Sequence, residues 1–321
     1  MKTRTLGRTG LQLTTIGLGT WAMGGEGWRF GWGPQDDQES IKAIHRALDL
    51  GINWIDTAPA YGLGHGEEVV GRALKGMAHR PIIATKCGRS WDANRELFPC
   101  LKRNVIRAEV EASLKRLGVE VIDLYQVHWP QPDADVEEAW STVAEIVKEG
   151  KVRFAGVCNF NVAQLKRLQP IHPAASLQPP YSMLVRDLEQ EGLAHCAAHN
   201  IGVVAYSPMQ KGLLTDRFNR ERVEQFAADD HRRRDAQFQE PLLSANLDLV
   251  QGLRSIAAKS GKTVSHLAMA WVLRRPEVTS AIVGARSASQ IEETVSASDW
   301  TLSAGEQALI EDLLQRRRST L

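Results

Sequence analysis

The chain has 321 residues, 43% hydrophobic and 24% charged, which excludes a largely disordered protein. A chain of this length buries a large core without cross-links. Its 39 basic and 38 acidic residues nearly cancel, so composition points to no nucleic acid or other polyanionic partner.

Met1-Lys2-Thr3-Arg4-Thr5 runs into polar sequence without an apolar signal region. No apolar stretch is long enough to span a bilayer, so a cytoplasmic protein away from the membrane is expected. Residues 3–13, with Gly7-Arg8-Thr9-Gly10 between two β-prone runs, predict a hairpin able to plug the floor of a barrel. Next comes Ile16-Gly17-Leu18, the first short apolar run. Gly17-Leu18-Gly19-Thr20-Trp21-Ala22 matches the dinucleotide fingerprint G-x-G-x-x-A, but no helix opens in the Gly-, Trp- and Pro-rich stretch that follows. Asp56 also comes too late to be the acidic partner of that motif, so the match is rejected.

Seven more strand-like runs follow, at 53–56, 81–85, 121–127, 154–157, 175–178, 202–206 and 280–283. Between them, apolar residues recur at helical spacing: Ile41, Ile44, Leu48; Val105, Val110, Leu114, Leu117; Val136, Trp140, Val143, Val147. Gly51, Gly118 and Gly150 stand where these helices should end. Strands alternating with helices suit either a doubly wound sheet or a closed barrel, and a count of eight favours a (β/α)8 TIM barrel. Residues 207–245 read as one long polar connection, and 247–260 and 302–316 as additional C-terminal helices. Nothing resembles a linker, so residues 1–321 are read as one domain.

Three features invite readings that the sequence does not support. Cys87, Cys100, Cys158 and Cys196 form no C-x-x-C pair, so reduced thiols are expected rather than zinc or disulfides. His195 and His199 have helical i, i+4 spacing but no third ligand, and no metal is expected. The runs Arg232-Arg233-Arg234 and Arg316-Arg317-Arg318 have acidic neighbours and read as solvated surface.

Barrel enzymes carry their chemistry at the C-terminal ends of their strands. Those ends offer Asp56, Lys86 and His128, with Tyr61 in the loop after Asp56. A carbonyl that receives hydride needs a proton on its oxygen, and a phenol of pKa about 10 is a poor acid at neutral pH. Lys86 is expected to lower that pKa, Asp56 to hold Lys86 charged, and His128 to orient the carbonyl oxygen.

Gly51-Ile52-Asn53-Trp54-Ile55-Asp56-Thr57-Ala58-Pro59-Ala60-Tyr61-Gly62 strongly resembles the aldo-keto reductase signature. Ala84-Thr85-Lys86, Ile122-Asp123-Leu124-Tyr125-Gln126-Val127-His128-Trp129 and Gly156-Val157-Cys158-Asn159-Phe160 extend the resemblance in the same order. With His128-Trp129-Pro130 and Gln178-Pro179-Pro180-Tyr181, the chain is most similar to bacterial general-stress and inositol-operon-associated reductases. The resemblance implies a catalytic tetrad of Asp56, Tyr61, Lys86 and His128, and NADPH/NADP+ as cofactor. It also implies reduction of a small aldehyde or ketone. Relatives of potassium-channel β subunits use the same barrel as a cofactor-loaded binding partner, and that alternative stays open.

A nicotinamide dinucleotide needs a stacking surface, donors for its diphosphate and, for NADP(H), a cation for the 2′-phosphate. Tyr206 ends the seventh strand, and the resemblance supports stacking there. Asn159 and Gln178 end the fifth and sixth, where amides suit the carboxamide. Cys158 replaces the serine usual in the family, and a thiol is a weaker hydrogen-bonding group. The resemblance also brings Thr20, Trp21 and Asp56 to the cofactor, and Arg217 to its diphosphate. The loops after strands seven and eight commonly hold phosphate. Here they are Ser207-Pro208-Met209-Gln210-Lys211-Gly212-Leu213 and Gly284-Ala285-Arg286-Ser287. Ser287-Ala288-Ser289-Gln290 predicts a capping box opening a helix toward the ligand. Arg286 suits the 2′-phosphate, which favours NADP(H) over NAD(H), while Gln290 and Glu293 suit the adenosine. Residues 220–241 resemble the family's variable closing loop, and Trp21, Trp28, Trp32 and Trp129 suggest an apolar substrate pocket.

Overall fold

The computed structural model describes residues 1–320. Strands β1 (Thr3–Thr5) and β2 (Gln12–Thr14) form the expected antiparallel hairpin, with Thr3 opposite Thr14. The alternation then begins with β3 (Ile16–Gly19), α1 (Asp37–Asp49), β4 (Trp54–Asp56), α2 (His65–Leu74) and β5 (Ile82–Cys87). A second small hairpin, β6 (Arg89–Trp91) and β7 (Leu97–Pro99), sits on the rim before α3 (Arg103–Leu117). The series continues through β8 (Ile122–Val127), α4 (Val136–Lys148), β9 (Val152–Cys158), α5 (Val162–Leu168) and β10 (Ser176–Gln178). After α6 (Gly192–Ala198) and β11 (Gly202–Ala205) come α7 (Arg220–Glu224), α8 (Leu242–Lys259) and α9 (Val264–Leu273). β12 (Val278–Gly284), α10 (Ala288–Val295) and α11 (Ala304–Ser319) complete it.

The strands from β3 to β5 and from β8 to β12 pair in parallel and close into an eight-stranded barrel, the (β/α)8 fold expected. Helix ends follow local chemistry. Asp36 caps α1 by accepting from the Gln38 and Glu39 N–H groups, and Gly51, Gly118 and Gly150 all take the positive φ of a helix stop.

The barrel has two apolar layers. Outside the strands, side chains such as Ile44, Val70, Val110, Trp140 and Trp271 pack the helices against the staves. Inside, Leu6, Leu11 and Leu13 of the N-terminal hairpin meet Trp54, Ala84, Leu124, Val204 and Ile282, sealing the floor. Trp54 explains the G-x-G pattern. A Cβ on Gly17 would lie 2.0 Å from its indole, and one on Gly19 would lie 2.6 Å from Ile282 Cγ2. Those glycines make room for side chains that fill the barrel, which is why a dinucleotide fingerprint stands where no dinucleotide turn exists.

The segment after β11 is more structured than a polar connection. It folds around Phe218, Phe226 and Phe238, whose rings pack edge to face at 5.6–6.0 Å, and α8 begins at Leu242. Arg232 corrects the expectation of a solvated run. It is buried, with its guanidinium 3.9 Å from the Phe226 ring centroid and 4.5 Å from that of Trp32, and it pairs with Asp230 at 2.6 Å. Flat aromatic faces stabilise a delocalised cation that a count of charges along the chain does not reveal. In the second run, Arg316 pairs with Asp312 at the surface, but Arg317 reaches Asn246 at 2.6 Å.

Candidate active site

Three successive barrel strands, with the loop after the first of them, bring the expected tetrad together. Asp56 ends β4 and Lys86 lies near the end of β5, with their side chains inside the barrel mouth. Lys86 Nζ donates to Asp56 Oδ2 at 2.7 Å, to the Thr57 carbonyl at 2.9 Å and to Tyr61 Oη at 3.2 Å. Gln178 of β10 donates to the other Asp56 oxygen at 2.8 Å. His128, next after β8, faces Tyr61 edge to face with ring centroids 6.1 Å apart. The loop bearing Tyr61 is held by a close approach: Gly62, at φ +66°, lies so near Gly24 that a Cβ would fall 2.0 Å from the Gly24 carbonyl oxygen.

The electrostatics correct one expectation. Burial pushes the Tyr61 phenol above its ordinary value, and the Lys86 ammonium pulls it back without reversing the shift. Burial alone would lower Lys86, but the Asp56 carboxylate more than offsets this and holds the ammonium charged. His128 is pushed well below the usual histidine range, by burial first and then by Lys86 and Arg89, so its imidazole is neutral.

These groups lie at the bottom of a cavity of about 1040 Å³. Pockets for drug-sized ligands run to roughly 1,000 Å³, so this one has the size for a dinucleotide and a small substrate together. Trp21, Trp28, Trp32 and Trp129 all line it, as expected of a substrate pocket. Tyr206, Ser207, Pro208, Met209, Lys211 and Gly212 line it as well, and so do Arg217, Gly284, Arg286, Gln290 and Glu293. Ser207, Gln210 and Lys211 all have positive φ, a backbone conformation that non-glycine residues adopt at a cost of about 1–2 kcal/mol each.

Other expected contacts fall elsewhere. Thr20 is fully buried beneath the wall, its hydroxyl on Thr57 Oγ1 at 2.8 Å. Leu213 points into the outer core, and the Gln210 side chain accepts from Ser182. None of the three lines the cavity, because each side chain is taken up by partners within the protein. Asn159 and Gln178 do line it, but their amides are engaged within the protein. Asn159 donates to the His128 carbonyl at 3.0 Å and accepts from Tyr206 Oη at 2.8 Å, while Gln178 serves Asp56. Cys158 Sγ fills the gap between these two amides, 3.1 Å from Asn159 Nδ2. The capping box at Ser287 does not close. Ser287 makes no capping bond, and Gln290 accepts instead from the Arg286 N–H at 2.7 Å. Arg286 reaches across the rim to Gln35 Oε1 at 2.6 Å and to the carbonyls of Trp32 and Pro34.

The cavity also gathers Arg29, Arg89 and Leu97, which sequence reasoning misses. From the segment 220–241, expected to close over the site, it gathers Arg222, His231 and Arg232, which sequence reasoning does not single out as site residues. His231 packs against Trp21 and Trp32 at 4.9 Å from each, and burial lowers its pKa to about 4. Cations on three separate loops meet only in space, and no spacing rule connects them. Of these, Arg222 joins the strained turn after β11 and Arg286 in a group that fits a ligand carrying several phosphates.

The sequence matches the aldo/keto reductase family over residues 15–315. It is 40% identical to the aldo-keto reductase YhdN of Bacillus subtilis (strain 168), covering 98% of this chain and 94% of that protein. It is 34% identical to the NADH-specific methylglyoxal reductase of Escherichia coli (strain K12), covering 98% and 99%. Among solved structures, the glycerol dehydrogenase AKR11B4 from Gluconobacter oxydans superposes with a TM-score of 0.89 at 38% identity, covering 98% of this chain and 96% of that one. The fold and site are therefore those of a barrel oxidoreductase that acts on carbonyls. The chain belongs to the aldo/keto reductase family.

Proposed function

We propose that this chain is an NADP(H)-dependent carbonyl reductase, folded as one domain over residues 1–321 and acting in the cytoplasm on small aldehydes or ketones. The observation that carries the reading is the buried chain Asp56–Lys86–Tyr61, which opens beside His128 at the bottom of the cavity. Tyr206 and Trp21 offer flat surfaces for a nicotinamide ring. Arg217, Lys211 and the turn after β11 suit a diphosphate, and Arg286 suits a 2′-phosphate. When bound there, a reduced nicotinamide would supply hydride for a carbonyl carbon, and the carbonyl oxygen would need a proton.

The protein's own groups meet that need. Neutral His128 orients the carbonyl oxygen through a ring nitrogen. Tyr61 holds its proton firmly at neutral pH and releases it to an oxygen that has become strongly basic. Lys86, at 3.2 Å, stabilises the phenolate left behind, and Asp56 keeps Lys86 charged and aimed. The tryptophans exclude water from the reacting atoms.

Coenzyme choice is open to a direct test, since one relative bears the name NADH-specific. Steady NADPH oxidation with a panel of aldehydes is expected, whereas a cofactor-loaded binding subunit would give at most one turnover. Arg286→Ala should weaken NADPH by about tenfold or more while affecting NADH far less, because a charge-assisted contact to the 2′-phosphate exists only in the former. Equal losses for both would remove the 2′-phosphate assignment.

A further inference from the structure

The rim hairpin after β5 presents to the cavity a cation for which carbonyl reduction, as derived above, has no use. Arg89 opens β6 and pairs with Pro99 of β7. Its backbone is pinned on both sides by Glu109 of α3, which accepts from the Gly88 N–H at 2.7 Å and from the Ser90 hydroxyl at 2.9 Å. The guanidinium lies over the Trp129 indole, 5.5 Å from its centroid, and donates to Gln131 Oε1 at 3.1 Å.

Both partners are neutral. Three cations on the same cavity are matched within the protein: Lys211 by Asp235, Arg217 by Glu293 and Arg232 by Asp230. Arg89 shares with Arg29, Arg222, Arg234 and Arg286 the lack of a carboxylate partner among the described residues, and of these it is the one held against Trp129. At Arg89, burial depresses the guanidinium's pKa and no carboxylate raises it again. A half-buried cation without a counter-charge is unfavourable unless a ligand supplies one. Of its five N–H donors, Gln131 engages one among the described residues. A planar fork of this kind matches the two oxygens of a carboxylate or phosphate. The position also matters. Arg89 belongs to the wall that carries Leu97 and Trp129, near enough to His128 for its charge to act on the imidazole.

We propose that Arg89 is a specificity-determining residue, and that the substrate of this reductase is an aldehyde or ketone bearing a carboxylate or phosphate at the end remote from its carbonyl. The anion docks on the Arg89 fork, the intervening carbons lie against Trp129 and Leu97, and the carbonyl lies between Tyr61 and His128. This reading rests on the carbonyl-reductase assignment and adds the class of substrate to it.

Matched substrates test it. Succinic semialdehyde is compared with butyraldehyde, and glyceraldehyde 3-phosphate with glyceraldehyde, as partners for NADPH with the parent and with Arg89→Gln and Arg89→Lys. The parent should favour the charged member of at least one pair, and which pair it favours separates carboxylate from phosphate. Arg89→Gln should lower the charged-to-neutral ratio of kcat/KM by about tenfold or more, mostly through KM, with Arg89→Lys recovering part of the loss. A ratio unchanged by Arg89→Gln, or a parent preference for both neutral members, overturns the proposal. Calorimetric titration of the NADP+ complex with succinate and with glycerol 3-phosphate reads the subsite without turnover. With NADP+ bound, the other phosphate-binding cations are engaged. Arg89-dependent binding of either probe alongside absent turnover would keep the anion subsite and sink the reductase reading. No Arg89-dependent binding of either probe would sink the subsite.

Discussion

Replacing Tyr61 with phenylalanine removes one oxygen atom and leaves the ring. In the parent that ring is stacked near Trp21, with centroids 6.4 Å apart and planes 20° from parallel, and it meets His128 edge to face. Among the described residues the oxygen has one protein partner, Lys86 Nζ at 3.2 Å. Lys86 keeps its bonds to Asp56 and the Thr57 carbonyl, so no buried charge is left unpaired. The stability cost is then that of one hydrogen bond, about 1 kcal/mol, which moves Tm by only a few degrees in a protein of this size. Losing a positioned general acid, by contrast, reduces the rate about 100- to 10,000-fold, or roughly 3–5 kcal/mol on the barrier. NADPH oxidation measured with a reactive aldehyde should show that loss in kcat, while quenching of tryptophan fluorescence by NADPH remains near that of the parent. Adding Lys86→Met to Tyr61→Phe should reduce kcat little further, because the ammonium acts through the phenol. A kcat for Tyr61→Phe within about threefold of the parent would contradict the general-acid role, whose expected size is far larger.

Two further outcomes follow from the same geometry. Lys86→Met leaves Asp56 buried without its cation and should destabilise the fold by about 3–5 kcal/mol in urea or thermal melts, with the double variant Asp56→Asn/Lys86→Met recovering part of that loss. A double variant less stable than either single one would contradict this reading of the pair. The reductive kcat should also be flat from about pH 6.5 to 9. The phenol's pKa lies above its ordinary value, so its protonated, competent form persists through that window, and the imidazole's lies below, so it stays neutral there. A titration limb centred between about pH 7 and 8 would show that one of these groups titrates near neutrality after all.

The parts of the molecule legible in the sequence are those whose side chains obey one local rule. Barrel strands are short apolar runs with turns at both ends, and all eight stand where the runs predict them. Helix α9 escapes because every residue from Val264 to Leu273 is buried, which leaves no polar face to mark a helical period. The rim hairpin of β6 and β7 escapes for the opposite reason. It is short and only partly buried, and Glu109 on α3 anchors its base from about twenty residues along the chain. The tetrad was legible because each member ends a strand or follows one. Arg232 was not, because its aromatic partners, Trp32 and Phe226, come from two different loops. Gln178 shows an intermediate case: its place at a strand end was readable, but its bond to Asp56 depends on barrel closure.

Burial looks at first like an obstacle to the chemistry, since it raises the Tyr61 pKa when a better acid seems to be wanted. The same burial strengthens the attraction between Lys86 and a nascent phenolate, because charges interact more strongly where water is excluded. Leu6, Leu11, Leu13 and Trp54 seal the floor below, and Asp56 with its Gln178 bond keeps the ammonium in place. In the resting protein the penalty dominates and the phenol keeps its proton. As charge builds on the substrate oxygen and the proton begins to move, the 3.2 Å contact to Lys86 becomes an ion pair in a dry site. An acid that is loaded at rest and stabilised only while it donates contributes to the transition state rather than to the ground state, and that difference is what accelerates a reaction.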